Sequence, residues 1–504
     1  MSHLLKEFKK TKIILKLLFL LSIISLSLKA LFLYEGNKIY YFLFSFISFY
    51  LIFFSFRKKS FFYENFLGVF LFLGFWFKFS FILAFNLGYG EGINIANGII
   101  TSQNFDDSLV ISIVGFLGFI LFGHLREIYL NYPKEINTLD FSFLYNKYRN
   151  LIIFTFACLI ILIPFFNVYF KIYQRGLIGE SYNFLISGAI KTSLLYFLAL
   201  ISAVILFLDL RTYKKIFISI ILIILLESFL SSVSMLSRGM IFNSLALFFG
   251  VYKISNKMNI NLGISFFLKI LVIIFICFFV AVSLVNSLRT YYFQGKNLSN
   301  NKSILINKSN KIFPDKEVFN QISENNEKKN IFYSSKIMNL LIYRWVGIES
   351  LLLISKNPEK LNFNFFKRSL GENFDANAPS FYEQEFNLKP QFSERTNKNL
   401  KGNTLPGFIA FLFFPGSYIF LFFSVSLFCL IATIFEFLTF KSFGQNFIAS
   451  SLIAMTIAYR YIHFGYLPKQ SYLLFGSIIG IITIAFIFSY IYKKINSINT
   501  NILN

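Results

Sequence analysis

Five arginines carry the clearest chemical signal in this chain: Arg175, Arg238, Arg289, Arg344 and Arg460. All five fall at or near one surface of the topology derived below. Arginine keeps its proton and grips phosphate oxygens with a planar fork of donors. Several at one depth would hold a diphosphate and stabilise the charge that grows on it as a leaving group. Such a displacement also needs a base for the attacking hydroxyl. On the same side stand Glu91, Asp106, Glu349 and Glu372, and the imidazole of His463. The sequence has no Walker loop, no dinucleotide-binding glycine turn, no His-Glu-x-x-His and no paired metal-ligand cysteines. It also lacks the Asp-x-Asp of a metal-bound nucleotide sugar. No metal and no other cofactor is therefore called for. Asp106-Asp107 is a weak metal candidate that reads more simply as a solvated acidic pair.

Positioning these groups falls to an apolar scaffold. Of 504 residues, 56% are hydrophobic and only 14% charged, and mean hydropathy is +0.63. A soluble protein this apolar would have nowhere to put its surface, whereas a lipid-facing one has no such difficulty. The 72 phenylalanines read as coding bias, not as a binding device. The net charge of +24 does not call for nucleic acid, because the basic residues sit in short loops between apolar runs. Anionic membrane lipids, lipid diphosphates among them, are its natural partners. Cys158, Cys277 and Cys429 lie inside apolar runs, too dispersed for a metal motif or a disulfide framework.

A helix needs about 20 apolar residues to cross a bilayer, which predicts about twelve spans. They fall near 13–34, 39–56, 61–87, 108–125, 150–169, 191–210, 214–236, 239–253, 264–286, 405–436, 445–462 and 470–492. The first is read as a retained anchor. Lysines and arginines gather in alternate loops, at Arg57-Lys58-Lys59, Arg126 to Arg149, Arg211 to Lys215, and Lys253 with Lys257. With basic residues inside, both termini are cytoplasmic and the protein is a multi-pass resident of a bacterial inner (plasma) membrane. The expected fold is therefore all-α and polytopic, with one long periplasmic loop between spans nine and ten. Residues 1–286 hold spans one to nine, 287–403 the loop, and 404–504 spans ten to twelve.

The loop reads as a flexible Asn/Lys arm at 297–330, then an interfacial helix near 334–355 that carries Arg344, then an irregular return over 363–402. Pro415-Gly416 interrupts span ten, as a break beside a cavity or as a simple kink. In the third outer loop, Tyr182, Leu185 and Ile186 form an apolar stripe that could lie in the interface. Glu227, Ser231, Ser234 and Arg238 are spaced to share one helix face. Glu227 reads either as glue between helices or as a group facing a wet cavity. His463 reads either as an interfacial aromatic-belt residue or as a proton-handling group.

The span count, the long outer loop, Ser237-Arg238-Gly239, Arg344 with Gly347 and Glu349, and Thr404 to Gly407 with Gly416-Ser417 together resemble the O-antigen (Wzy-type) repeat-unit polymerases. The resemblance implies a glycosyltransferase that moves a growing glycan from undecaprenyl diphosphate to another lipid-linked repeat unit, without metal or nucleotide sugar. It implies diphosphate contacts from Arg238, Arg289 and Arg344, with Arg175 and Arg460 beside them. Glu349 or His463 would activate the acceptor hydroxyl, and Tyr291, Tyr292 and Tyr382 would stack on sugars. Its partners would be undecaprenyl-diphosphate-linked oligosaccharide, membrane lipids and a chain-length regulator protein. An O-antigen ligase shares this architecture with a different acceptor. A lipid-phosphate-sugar glycosyltransferase usually has an acidic pair in its first outer loop, which here is only Tyr34 to Lys38. A glycan flippase is the rival of another class. It would carry charge through the membrane centre, whereas these charges gather at the outer face, with Glu227 the exception.

The orientation is testable with alkaline phosphatase fusions. A fusion after Asn310 is expected to be active in whole cells, and fusions after Lys59 and Lys494 inactive. The opposite pattern would invert the topology.

Overall fold

The computed structural model describes residues 20–87, 100–133, 142–175, 183–260, 262–294, 342, 345–372, 380–386, 388, 406–463 and 468–503. Among them the regular structure is entirely helical. In hydrocarbon every backbone N–H and C=O must be satisfied within the protein, and a helix does this inside a single segment. The first nine helices are α1 (Leu20–Leu33), α2 (Lys38–Ser55), α3 (Phe62–Ala84), α4 (Ser102–Tyr129), α5 (Ser142–Tyr169), α6 (Leu185–Tyr213), α7 (Ile218–Ser234), α8 (Ile241–Lys257) and α9 (Ile264–Gln294). Short helices α10 (Ile348–Ser355), α11 (Phe363–Leu370), α12 (Phe381–Glu385) and α13 (Phe408–Leu412) follow. Then come α14 (Tyr418–Ser442), α15 (Phe447–Ile462) and α16 (Pro468–Leu503). Among the described residues a helix lies in each stretch expected to span, the first from Leu20 onward, and 8 helices are long and apolar enough to cross a membrane. Large apolar side chains such as Phe46, Phe53, Phe165, Ile276 and Phe488 point outward, as lipid contact requires.

The hub is α15, nearly all of which is buried. It packs on α3, α6, α8 and α14. Ala449, Ser450, Ser451, Ala454 and Ala458 keep it slim, so that its neighbours approach closely. Asn446 caps its start, accepting from the Ile448 and Ala449 amides.

At the helix ends near Arg57, buried ions are matched in detail. Arg126 grips Glu64 at 2.8 Å with both side chains sealed, and Arg57 adds a contact at 3.0 Å. Glu436 accepts from the Phe62 and Tyr63 amides at the start of α3 and from the Tyr132 hydroxyl. Arg149 pairs with Asp209, which also accepts from Tyr145. At one end these contacts tie α3 to α2, α4 and α14, and separately tie α5 to α6.

The opposite end departs from the sequence expectation in five places. First, α9 continues through Gln294, so Arg289 is helical and not at the start of a loop. Second, α10 is the described part of the helix expected near 334–355. Ile348, Leu351, Leu352 and Ile354 are all buried, so this part packs inside the bundle and not on a lipid surface. The flexible arm at 297–330 and most of 334–344 lie outside the described residues. Third, the return segment holds α11 and α12, capped by Asn362 and by a Ser380–Glu383 capping box. Fourth, Leu185 and Ile186 form the first turn of α6, not a separate interfacial stripe; Tyr182 lies outside the described residues. Fifth, α7 stops at Ser234 in a left-handed turn at Leu236 (φ 50°), with the Ser237 amide returning to the Ser232 carbonyl. Arg238 therefore leaves the face that Glu227, Ser231 and Ser234 share.

The interruption of span ten is a full break. Helix α13 ends at Leu412, Gly416 takes φ +72°, and Ser417 caps α14. That φ favours glycine.

In α3 a π-helical turn over Phe72–Phe77 sits where the chain before α10 crosses it. There two backbones touch. A Cβ added to Gly347 would lie 2.2 Å from the Gly74 carbonyl oxygen, and one on Gly74 would lie 2.3 Å from that of Val346. Replacing Gly347 with valine is expected to lower stability by about 1–3 kcal/mol, the usual cost of overpacking. Gly188→Ala, where nothing lies within 4 Å, is the control. Thermal unfolding in detergent measures both; equal melting temperatures would show that the crossing tolerates a side chain.

Candidate functional site

The turns opposite the Arg57 end bring four of the five arginines together. The frame starts at Asn167, fully buried near the end of α5. Its amide donates to the Tyr173 carbonyl (3.0 Å) and to the Ser234 carbonyl (3.0 Å), while its oxygen accepts from the Tyr173 amide (2.9 Å). This one side chain fixes the 170–175 loop against the end of α7. The Arg175 amide then donates to the Met235 carbonyl at 2.9 Å. From α9, Arg289 donates to the carbonyls of Leu236 (2.6 Å) and Arg175 (3.4 Å). Arg238, in the α7–α8 turn, donates to Asn286 of α9. From α15, Arg460 donates to Ser471 at 2.7 Å. Cations suit this place because the ends of α5, α7 and α15 point unsatisfied carbonyls into it.

Two phenols complete the nest. Arg175 hydrogen-bonds to Tyr173 and to Tyr459. Lys191 of α6 sits 4.8 Å from the centroid of the Tyr173 ring. Gly239 lets Tyr459 in: a Cβ there would lie 2.7 Å from the phenol oxygen. Burial pulls the Arg175 guanidinium down, but the Tyr173 and Tyr459 oxygens outweigh it and hold the group above its ordinary value. Burial also raises the Tyr173 phenol, yet Arg175, Lys191 and Arg460 draw it below the ordinary phenol value. A phenol made more acidic despite burial reports a strongly positive local potential.

A second cluster adjoins the first. Lys78, fully buried, donates to the Trp345 carbonyl at 2.8 Å and pairs with Glu349 at the start of α10. The Glu349 side chain keeps 21% exposure, so solvent reaches it from the far side. Phe70 joins the two clusters, its ring 6.0 Å from Trp345 and 6.2 Å from Tyr459. Tyr382 of α12 bonds to Ser350 of α10. His463, at the end of α15, packs its ring tilted at 37° against Tyr459, centroids 4.4 Å apart, and its Nδ1 lies 2.9 Å from the Tyr459 carbonyl. A carbonyl only accepts, so Nδ1 carries a proton and Nε2 is the atom that gains or loses one.

Arg175, Arg238, Arg289 and Arg460 thus converge, with Glu349 and His463 beside them. Arg289 spends donors on the loop carbonyls and so builds the nest as well as charging it. Arg344 and Glu91 lie outside the described residues, as do the side chains of Tyr291 and Tyr292 in the last turn of α9. Asp106 is not a free acid: it accepts from the Tyr34 hydroxyl (2.7 Å) and the Asn37 amide (2.9 Å), tying α4 to the α1–α2 loop. Glu372 accepts from the Phe381 amide at the start of α12. Glu227 is buried, with the hydroxyls of Ser231 (3.1 Å) and Ser228 (3.2 Å) on it. Both hydroxyls belong to its own helix, so these bonds do not glue α7 to a neighbour.

Sequence reasoning passed over Lys78, Asn167, Tyr173 and Lys191. Lys78 carried a usable signal, being the lone cation in the run from Phe61 to Leu87. It lies about 24 Å beyond the first residue of α3 at about 1.5 Å per residue. With Glu64, Arg126 and Glu436 also buried, charge is not confined to one face of the protein. The chain matches no protein-family model, no curated protein and no solved structure.

The Lys78–Glu349 pair is open to a double-mutant cycle. Glu349→Leu alone is expected to destabilise the protein by about 3 kcal/mol, because it leaves the buried Lys78 ammonium without its carboxylate. Adding Lys78→Met should recover most of that loss. Thermal unfolding in detergent measures the cycle, and strict additivity of the two substitutions would show that the ions do not act as a pair.

Proposed function

We propose that this protein polymerises undecaprenyl-diphosphate-linked oligosaccharide repeat units into surface polysaccharide at the outer face of a bacterial inner membrane. The observation that carries the reading is the nest of Arg175, Arg238, Arg289 and Arg460, built from four separate parts of the chain. A diphosphate leaving group needs such fixed positive charge, and the surrounding protein makes each contact worth more than it would be in water. In this reading the protein has twelve spans, both termini are cytoplasmic, and the segment between α9 and α13 is periplasmic. The donor's diphosphate sits on the arginines. The acceptor hydroxyl attacks the anomeric carbon as its bond to the diphosphate oxygen breaks, Glu349 or His463 takes the hydroxyl's proton, and undecaprenyl diphosphate leaves.

Catalysis without a nucleotide sugar suits a site that faces away from the cytoplasm. Ligation to a different acceptor uses the same donor chemistry, so a ligase is the sister reading. Transport is the second reading, favoured by the charges buried within the spans, Lys78 above all.

Deletion separates the three. For a polymerase, the surface glycan is expected to be capped by a single repeat unit. A ligase mutant would accumulate lipid-linked polymer unattached to its acceptor, and a flippase mutant would show no repeat at the surface. Either of those outcomes replaces the proposal. Complementation with Arg238→Ala or Arg344→Ala is expected to collapse the chain-length ladder; normal ladders from both would remove these arginines from the site.

A further inference from the structure

Tyr173 has a surrounding that its neighbours do not share. Its backbone is clamped on both sides by Asn167, at 2.9 and 3.0 Å, so the ring cannot swing away with the loop. Its phenol meets Arg175 of its own loop; Lys191 of α6 stands 4.8 Å from its ring, and Arg460 of α15 acts on it too. Tyr459, also from α15, shares Arg175 with it. Behind them Arg289 of α9 holds the Arg175 carbonyl, and the α7–α8 turn supplies the Met235 carbonyl and, nearby, Arg238. Arg175 thus hydrogen-bonds to this phenol, with Lys191 over its ring and Arg460 close enough to act on it, so three cations bear on one residue.

That geometry has a thermodynamic consequence. A phenol that loses its proton here becomes the nest's own anion and competes with any phosphate for the same donors. A phenol that keeps its proton can donate it to a phosphate oxygen. We propose that Tyr173 is an anion-binding residue of this nest, donating its O–H to a bound phosphate oxygen, so that phosphate binding is coupled to proton uptake by Tyr173 and weakens as pH rises. The inference rests on reading the nest as the phosphate site and adds to it a residue and a pH dependence. The sign follows from linkage. Arg175, Lys191 and Arg460 draw the phenol below its ordinary value, so the empty nest releases the proton early. An anion that neutralises those cations restores the proton, and by reciprocity the proton strengthens the anion.

The test needs no glycan assay. Tetranitromethane nitrates phenolates, and inorganic sulfate is a tetrahedral dianion that does not itself titrate in this range. Purified full-length protein in detergent is nitrated across pH 6 to 10, and the modification of Tyr173 is read by peptide mass spectrometry. Tyr173 is expected to react at lower pH than the exposed Tyr129. Saturating sulfate, compared with chloride at equal ionic strength, should shift its profile upward by about one pH unit, a roughly tenfold change in ionisation. Arg175→Gln should shift it upward without sulfate and abolish the sulfate effect. Reaction at the ordinary tyrosine pH, or a profile that sulfate leaves in place, overturns the proposal. Tyr173→Phe, which keeps the ring, should bind sulfate with an affinity that no longer falls over the same pH range; an unchanged fall also overturns it. These outcomes do not depend on what the deletion strain shows. A sulfate-sensitive Tyr173 in a protein that does not polymerise would retain the anion site and discard the glycan chemistry.

Discussion

An ion inside a low-dielectric bundle must be met by another ion or by dipoles, and Lys78 is where this constraint shapes the molecule most. Its ammonium is fully buried in a span otherwise lined by phenylalanines. Left alone it would cost several kcal/mol. Its partners come from a segment more than 260 residues away in sequence, the Trp345 carbonyl and the Glu349 carboxylate. Meeting them draws the start of α10 into the bundle. The Gly74–Gly347 crossing allows it, because neither chain has a side chain to hold the other off. Once docked, α10 buries its apolar face against α4, and Asn104 and Ser108 close over Ser355. A stretch that its composition would place on a membrane surface thus becomes part of the core.

The arginine nest obeys the same rule by other means. Guanidinium groups gathered at one place repel each other, and helix ends supply part of the remedy. Carbonyls at the end of α7 take donors from Arg289 and from the Arg175 amide. Phenols supply another part, with Tyr173 and Tyr459 turning their oxygens toward Arg175. Asn167 coordinates the arrangement, since it binds the Tyr173 backbone and the α7 terminus at once. The result is a rigid, electropositive floor whose side chains remain half-exposed. Rigidity matters for such a floor, because a preorganised site does not have to reorganise when charge appears.

The two ends of the bundle handle charge in contrasting ways. At the Arg57 end, cations and carboxylates are matched in closed sets, such as Glu64 with Arg57 and Arg126. These contacts hold helix ends together. In the arginine nest at the other end, cations face phenols and carbonyls, weaker partners than a carboxylate.

How much of this was legible in sequence follows from which forces are local. Hydropathy over a window of about 20 residues depends only on neighbouring residues, so apolar runs alone located the long helices, and the all-helical architecture with them. Caps are local too: Asn362 and the Ser380–Glu383 box were readable, and their helices were missed only because the surrounding composition looked irregular. The presence of arginines near helix ends was also visible, as was the interruption at Pro415-Gly416. What the sequence could not contain is which ends meet. Arg175, Arg238, Arg289 and Arg460 are separated by up to 285 positions, and only helix packing makes them neighbours. The end of α7 at Ser234 depended on a left-handed leucine, a residue type that gives no warning of it. Lys78 could be seen as a cation in a span, but its partner could not. Burial, pairing and local potential are properties of the folded neighbourhood, so tertiary structure alone decided that Glu349 is held by a buried lysine and that Tyr173 stands among three cations.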